Sequence, residues 1–233
     1  MLNPLVSICI PAYEMKGKGA EFLNFSFHKM SIQTYRNFEV IVSDHSVSND
    51  VENICKSWQD RLNITHIYNE NNRGMFPSNM NNAIRNAKGN IIKTLCQDDF
   101  LFNEKSLETM VFNFINSNIY WLVTACCHTV DGYNFYREFY PVYNEQIQYG
   151  NNTISSPSVL MFKNENVIPF DENLNWLVDC DYYRMLFDKY GLPGICNAIT
   201  VVNREDNSTR VSSTITEELK LREFRYVVNK YNE

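Results

Sequence analysis

The sequence predicts an α/β fold, a single Rossmann-like domain with a mostly parallel central sheet flanked by helices. Two observations carry this. Short apolar runs of strand length alternate with longer segments whose apolar residues recur at helical spacing. The strands of the first half are also apolar at successive rather than alternating positions, as strands covered on both faces are. The 233 residues, 44% hydrophobic and 14% aromatic, suffice for a sizeable core.

Taken in order, LVSICI (5–10) reads as a buried strand. AEFLNFSFHKMSIQ (20–33) reads as a helix with Phe22, Leu23, Phe27 and Met30 on one face. Strand FEVIVS (38–43), helix DVENICKSWQ (50–59), strand ITHIY (64–68), helix PSNMNNAIRNAKG (77–89) and strand IIKTLC (91–96) follow. Pro77 suits a helix's first turn and Gly89 its end. Beyond the adjacent aspartates Asp98 and Asp99 the rhythm loosens. Helix EKSLETMVFNFINS (104–117) leads to the strand-like IYWLVTACC (119–127), then to the aromatic and polar stretch 131–152. Strand SPSVLMF (156–162), helix DYYRMLFDKYG (181–191) ended by Gly191, strand AITVVN (198–203) and helix ITEELKLREFRYVVNKY (215–231) close the chain. No repeat, low-complexity run or linker interrupts it, so one domain over 1–233 is expected.

A formal charge of −6, with a pI near 5.3, leaves no basic stripe for a nucleic-acid backbone, which excludes that partner. No apolar run approaches the roughly 20 residues of a membrane span, and the opening residues lack a signal-peptide pattern. The seven cysteines sit mostly in apolar runs without CxxC spacing, which suits reduced thiols in a cytoplasmic protein. The terminal helix mixes apolar and basic residues with Glu217, Glu218 and Glu223. That pattern predicts intramolecular packing or a homodimer face, and at most weak peripheral membrane contact.

In open α/β sheets ligands bind beyond the carboxyl ends of the strands. Those ends carry Pro11, Ala12, Tyr13 and Glu14 after the first strand, Asp44 after the second, and Asp98 and Asp99 after the fourth. No GxGxxG follows the first strand, and no GxxxxGK[ST] loop occurs. A phosphate-bearing ligand without such a loop calls for a metal. Adjacent aspartates suit a hard cation, Mn²⁺ or Mg²⁺.

Four stretches together resemble the family 2 glycosyltransferases, which have the GT-A fold. VSICIPAYE is similar to the family's opening strand and turn, and IQTYRNFEVIVSDHSVSND to its second landmark. NRGMFPSNMNNAIRNAKGNIIKTLCQDDF resembles the helix that leads into the aspartate motif. SPSVLMFKNENVIPFDENLNWLVDCDYYRML resembles the acceptor-side segment. The resemblance implies an inverting enzyme with a nucleotide-sugar-binding half (1–100) and an acceptor-binding half (101–233). It would move a sugar from a UDP-sugar to a saccharide or lipid-linked saccharide in surface polysaccharide synthesis, at the inner face of the membrane. By the same resemblance Pro11 to Glu14 line the nucleotide pocket and Asp44 accepts the uracil N–H. Asp98 lies near ribose and metal, Asp99 holds the metal, and Asp179 is the catalytic base with Asp181 as runner-up. Arg73, Arg204 and Arg210 are candidates to reach the diphosphate. The sequence departs from the family at Ser43, where an acid is usual, and at Val178, where another acid often precedes the base. Two other readings stand beside this one: a catalytically silent nucleotide-sugar-binding protein of the same fold, and a nucleotidyltransferase, whose Gly-rich loop is not found. His45, His66 and His128 lack metal-ligand spacing and receive no role.

Overall fold

A computed structural model describes residues 3–205 and 215–232. Four strands, β1 (Val6–Ala12), β2 (Phe38–Asp44), β3 (Ile64–Tyr68) and β4 (Ile91–Thr94), form the parallel half of one mixed sheet. Beyond β4 come β5 (Phe100–Leu101), β6 (Trp121–Thr129), β7 (Phe135–Phe139), β8 (Leu160–Lys163) and β9 (Gly194–Arg204). The sheet order is β3-β2-β1-β4-β8-β6-β9-β5, with β7 added to β6. β8 runs antiparallel between β4 and β6, β9 lies parallel to β6, and β5 and β7 are antiparallel additions. Six helices accompany the strands among the described residues: α1 (Gly19–Ser31), α2 (Asp50–Trp58), α3 (Phe76–Arg85), α4 (Ser106–Ile115), α5 (Val178–Tyr190) and α6 (Glu217–Tyr231). α3 packs on β1 and β2, and α4 on β6 and β9.

Every residue of β1, β2 and β6 is buried, which is why these strands are apolar without alternation. β3, at the sheet's end, has only its first residue buried. β1 hydrogen-bonds β2 on one side and β4 on the other, so the order of strands reverses there and a crevice opens at their carboxyl ends.

Side chains close that crevice's floor. Gln97 accepts from the Tyr13 backbone N–H at 2.9 Å and donates to the Tyr13 and Gly19 carbonyls at 2.9 and 3.0 Å. It staples the turn after β1 to the end of β4. Gly19 is required at this contact, because a Cβ there would lie 2.2 Å from the Tyr13 carbonyl oxygen. Lys93, fully buried on β4, donates to the backbone carbonyls of Thr94 and Ser158, and burial pulls its pKa down to about 7. It ties β4 to the segment before β8.

The predicted elements need several amendments, among them a single 3₁₀ turn at Pro157–Val159 where a strand was expected and a β9 that begins at Gly194, four residues early. α3 stops at Arg85, four residues before Gly89. Gly89 instead allows a close approach to β1, where a Cβ would meet the Leu5 carbonyl and Ser7 at 2.7 Å. α5 begins at Val178, so Asp179 and Asp181 both fall in its first turn. The short β5 and the largely exposed β7 had no apolar pattern to announce them.

Candidate active site

A cavity of about 710 Å³ lies at the carboxyl ends of the strands. Pro11 and Tyr13 reach it from β1, and Cys96 to Asp99 from β4. Asn175, Trp176, Val178 and Asp179 border it at the entry to α5. His128, Arg137 and Phe139 from β6 and β7 border it as well, with Asn203 to Glu205 at and just past the end of β9 and with Asn152 and Ser155 to Pro157.

Asp99 is buried, and its carboxylate is fully oriented. One oxygen accepts from the Ser158 hydroxyl at 2.5 Å and the Ser156 hydroxyl at 3.3 Å; the other accepts from the Arg204 backbone N–H at 2.9 Å. Burial and the neighbouring Asp98 charge push its pKa up to about 7, against the lowering effect of those bonds. Arg204 packs its guanidinium among the rings of Phe22, Phe25 and Phe100 at 4.8, 5.3 and 5.6 Å, and its Nε donates to the Asp98 carbonyl at 3.3 Å. Burial and the charges of Asp98 and Glu14 raise the Tyr13 pKa.

Asp179 is partly buried in the first turn of α5, at the cavity. Asn152 donates to one of its oxygens at 2.8 Å and the Cys180 N–H to the other at 2.8 Å. The Asn152 carbonyl is itself fixed by the N–H groups of Ile154 and Ser155. Desolvation dominates and raises the Asp179 pKa to about 6.

The strap leading into this helix is held from a distance. Glu223 of α6, buried, accepts from three successive backbone N–H groups, those of Asn175, Trp176 and Leu177, at 2.9, 2.8 and 3.0 Å. Glu223→Gln keeps the shape but replaces one acceptor oxygen by a donor facing donors. It should lower stability by about 1–3 kcal/mol. Denaturant unfolding measures this; an unchanged midpoint would show that these bonds do not hold the strap.

A family model described as glycosyl transferase family 2 matches residues 7–210. The chain belongs to this family. An uncharacterized glycosyltransferase of Rickettsia prowazekii is 35% identical over 103 residues, covering 44% of this chain and 30% of its own length. The chain therefore spans about a third of that relative. Among solved structures, S. aureus TarS 1-349 in complex with UDP-GlcNAc superposes with a TM-score of 0.73 at 18% identity, over 96% of this chain and 66% of that one. The mannosyltransferase PcManGT from Pyrobaculum calidifontis, in complex with GDP-Man and Mn²⁺, gives 0.65 at 16% identity, over 88% and 58%. These likenesses establish the α/β fold of GT-A glycosyltransferases, a mixed sheet flanked by helices.

Within this family 2 chain, the residues singled out from sequence divide. Pro11, Tyr13, Asp98, Asp99, Asp179 and Arg204 border the cavity. Ala12 is buried within β1, and Glu14 lies in the following turn, off the cavity wall. Asp44 is buried off the wall as well; one oxygen accepts from the Ser46 N–H at 2.8 Å and the other lies 2.9 Å from His66 Nε2. Arg73 is exposed, with its guanidinium bonded to the Tyr68 hydroxyl and 5.3 Å from that ring's centroid. Asp181 points into a separate polar cluster, bonded to Lys230 at 2.9 Å and the Tyr231 hydroxyl at 2.8 Å. These bonds leave it no part in the cavity wall, and Asp179 stands there alone of the two. Arg210 lies outside the described residues. Sequence reading passed over His128, Arg137, Asn152, Ser156, Ser158 and Glu205. Their only signal is spatial, since each meets its partner across a long stretch of chain or on an exposed edge. Among the described residues no helix is long and apolar enough to cross a membrane.

Proposed function

We propose that this chain is an inverting glycosyltransferase. It moves a sugar from a UDP-sugar to a hydroxyl of a saccharide or lipid-linked saccharide, in surface polysaccharide synthesis at the inner membrane face. The observation that carries the reading is one cavity bordered by both the Asp98–Asp99 pair and an isolated carboxylate, Asp179, with a raised pKa.

The aspartate pair fits a divalent cation. Among the described residues no cluster of three or more His, Cys, Asp or Glu could hold a metal by itself. One or two carboxylates, completed by substrate phosphates, is however the usual manner of Mg²⁺ and similar ions. Asp99 has lone pairs beyond the three bonds it accepts, and two carboxylates crowded in a buried site favour a cation between them. Such an ion, Mn²⁺ or Mg²⁺, would neutralise charge developing on the departing diphosphate.

The chain's own residues supply the rest. Asp179 accepts the proton of the acceptor hydroxyl as its oxygen bonds to the anomeric carbon. The bond from that carbon to the diphosphate breaks with its electron pair, and the configuration inverts. Asn152 and the Cys180 N–H fix the carboxylate's orientation. Tyr13, held by Gln97, lies beside the nucleotide.

Asp44 pairs with Ala12 across β1 and β2, next to the turn that carries Tyr13, and we assign it to selection of the uracil ring. UDP should bind more tightly than GDP or dTDP, and Asp44→Asn should erode that preference. Calorimetric titration of the three nucleotides, with and without Mn²⁺, tests this together with release of sugar from UDP-sugars. Tighter binding of GDP would overturn the uridine assignment. Metal-dependent UDP binding without any turnover would instead favour a silent binding protein.

A further inference from the structure

The part of the cavity wall made by β7 with His128 and Glu205 has no part in the chemistry above. β7 pairs with β6 through a bulge: Cys126 faces Phe139 and His128 faces Tyr136, so Arg137 and Glu138 together oppose Cys127. Arg137 occupies left-handed backbone space, with φ at +41°. That conformation costs a non-glycine residue about 1–2 kcal/mol, and such bulges re-aim side chains beside active sites. Here the guanidinium is brought to the cavity and to Glu205, at 2.5 Å. The Tyr136 hydroxyl donates to the other Glu205 oxygen at 2.6 Å. Burial raises the Glu205 pKa, but the bonds from Tyr136 and Arg137 outweigh it and hold the carboxyl below its usual range. His128 Nδ1 lies 2.7 Å from the Arg137 carbonyl, which can only accept. In the neutral imidazole the proton therefore sits on Nδ1, and Nε2 is an acceptor. Phe139 adds an apolar ring to the same wall.

We propose that Arg137, Glu205, His128 and Phe139 form the subsite for an uncharged acceptor sugar. The guanidinium donates to one ring hydroxyl, while Glu205 and His128 accept from its neighbours. The Phe139 ring backs the apolar face of the sugar. This rests on the glycosyltransferase reading and deepens it by naming the acceptor's charge. A phosphate or carboxylate on the sugar would meet an arginine already neutralised by Glu205, in a cavity also bordered by Asp98, Asp99 and Asp179. Unpaired like charge in a partly desolvated site is rejected strongly. Vicinal hydroxyls, each both donor and acceptor, match an alternating donor and acceptor wall.

The test uses p-nitrophenyl glycosides: neutral glucoside, galactoside, mannoside and N-acetylglucosaminide, set against the glucuronide and glucose 6-phosphate. Binding to the chain is followed by saturation-transfer NMR and calorimetry in the presence of UDP and Mn²⁺. At least one neutral glycoside should bind, and the acidic ones should bind about tenfold or more weakly by comparison. Arg137→Ala and Glu205→Gln should each weaken the neutral glycoside by about tenfold, the scale of one charge-assisted hydrogen bond. Glu205→Gln should also narrow the gap between neutral and acidic sugars, a change that a merely structural role for Glu205 would not produce. UDP titration of the same variants and their thermal melting separate loss of the subsite from loss of fold. The subsite is overturned if acidic sugars bind as well as neutral ones, if no neutral glycoside binds, or if folded variants bind as wild type does. Failure of wild-type protein to bind UDP, GDP or dTDP overturns the glycosyltransferase reading instead.

Discussion

Asp179→Asn is expected to slow sugar transfer by roughly two to four orders of magnitude, the scale of losing a general base, while UDP binding stays within about twofold. The substitution keeps size, removes proton acceptance and turns one acceptor oxygen into a donor facing either the Asn152 amide or the Cys180 N–H, a cost that does not vary with pH. With the Asp179 pKa at about 6, transfer by the wild type should rise tenfold per pH unit below that value and level off above it. The residual activity of the variant should lack this limb. Stability gives a second, independent reading. The folded-state pKa lies above the ordinary 3.8, so the folded chain holds this proton more tightly than the unfolded one. That contribution is present in full below about pH 4 and lost as pH rises through about 6. Relative to the wild type, Asp179→Asn should therefore gain stability between pH 4 and 6, by at most about 3 kcal/mol. Urea unfolding at three pH values measures it. A variant that transfers sugar at the wild-type rate would end the base assignment, and a pH-independent stability difference would end the desolvation account.

The parallel half of the sheet was legible because of how it is buried. β1 and β2 touch helices or loops on both faces, so every position is hidden and the apolar run is unbroken. The ITHIY strand was readable to the residue, Ile64–Tyr68. Strand-end carboxylates could be placed near a common crevice for the same reason, since a parallel sheet directs all its carboxyl ends one way. What the sequence hid were partners. Nothing near Asp44 in the chain announces His66, and nothing near Asp181 announces Lys230, so the bonds that hold each carboxylate could not be read from its neighbours in sequence. The clamp of Glu223 on the 175–177 backbone joins residues 46 to 48 apart. β7 was illegible for a different reason. Four of its five residues are exposed and its register is broken by a bulge, so neither apolar alternation nor strict spacing survives.

Asp99→Asn is expected to abolish metal-dependent UDP binding while sparing the fold, and the local hydrogen bonds explain both halves. Of the three groups bonded to Asp99, the Arg204 N–H can only donate, so the carbonyl of the introduced amide must face it. The amide nitrogen then faces Ser158 and Ser156, whose hydroxyls can turn to accept. The buried Ser158 hydroxyl, which also accepts from the Cys96 N–H, then loses the acceptor for its own proton, and this offsets the gain from removing a buried carboxylate whose pKa is raised to about 7. The melting temperature should therefore change little. The cost would fall on a cation proposed to be held by Asp98 and Asp99, which would lose one of those two carboxylates and meet an N–H dipole in its place. Loss of an outer hydrogen bond to a metal ligand weakens binding by about 10- to 100-fold, and loss of the ligand charge itself should exceed that. Calorimetry with UDP and Mn²⁺ should show at least a hundredfold weakening by that measure, and UDP alone should bind as weakly to the wild type as to the variant. An unchanged titration in the presence of Mn²⁺ would remove Asp99 from the metal site. A fall in melting temperature of more than about 5 °C, roughly 1.3–2.5 kcal/mol for a chain this size, would show that the hydroxyls cannot reorient and that the carboxylate holds the fold.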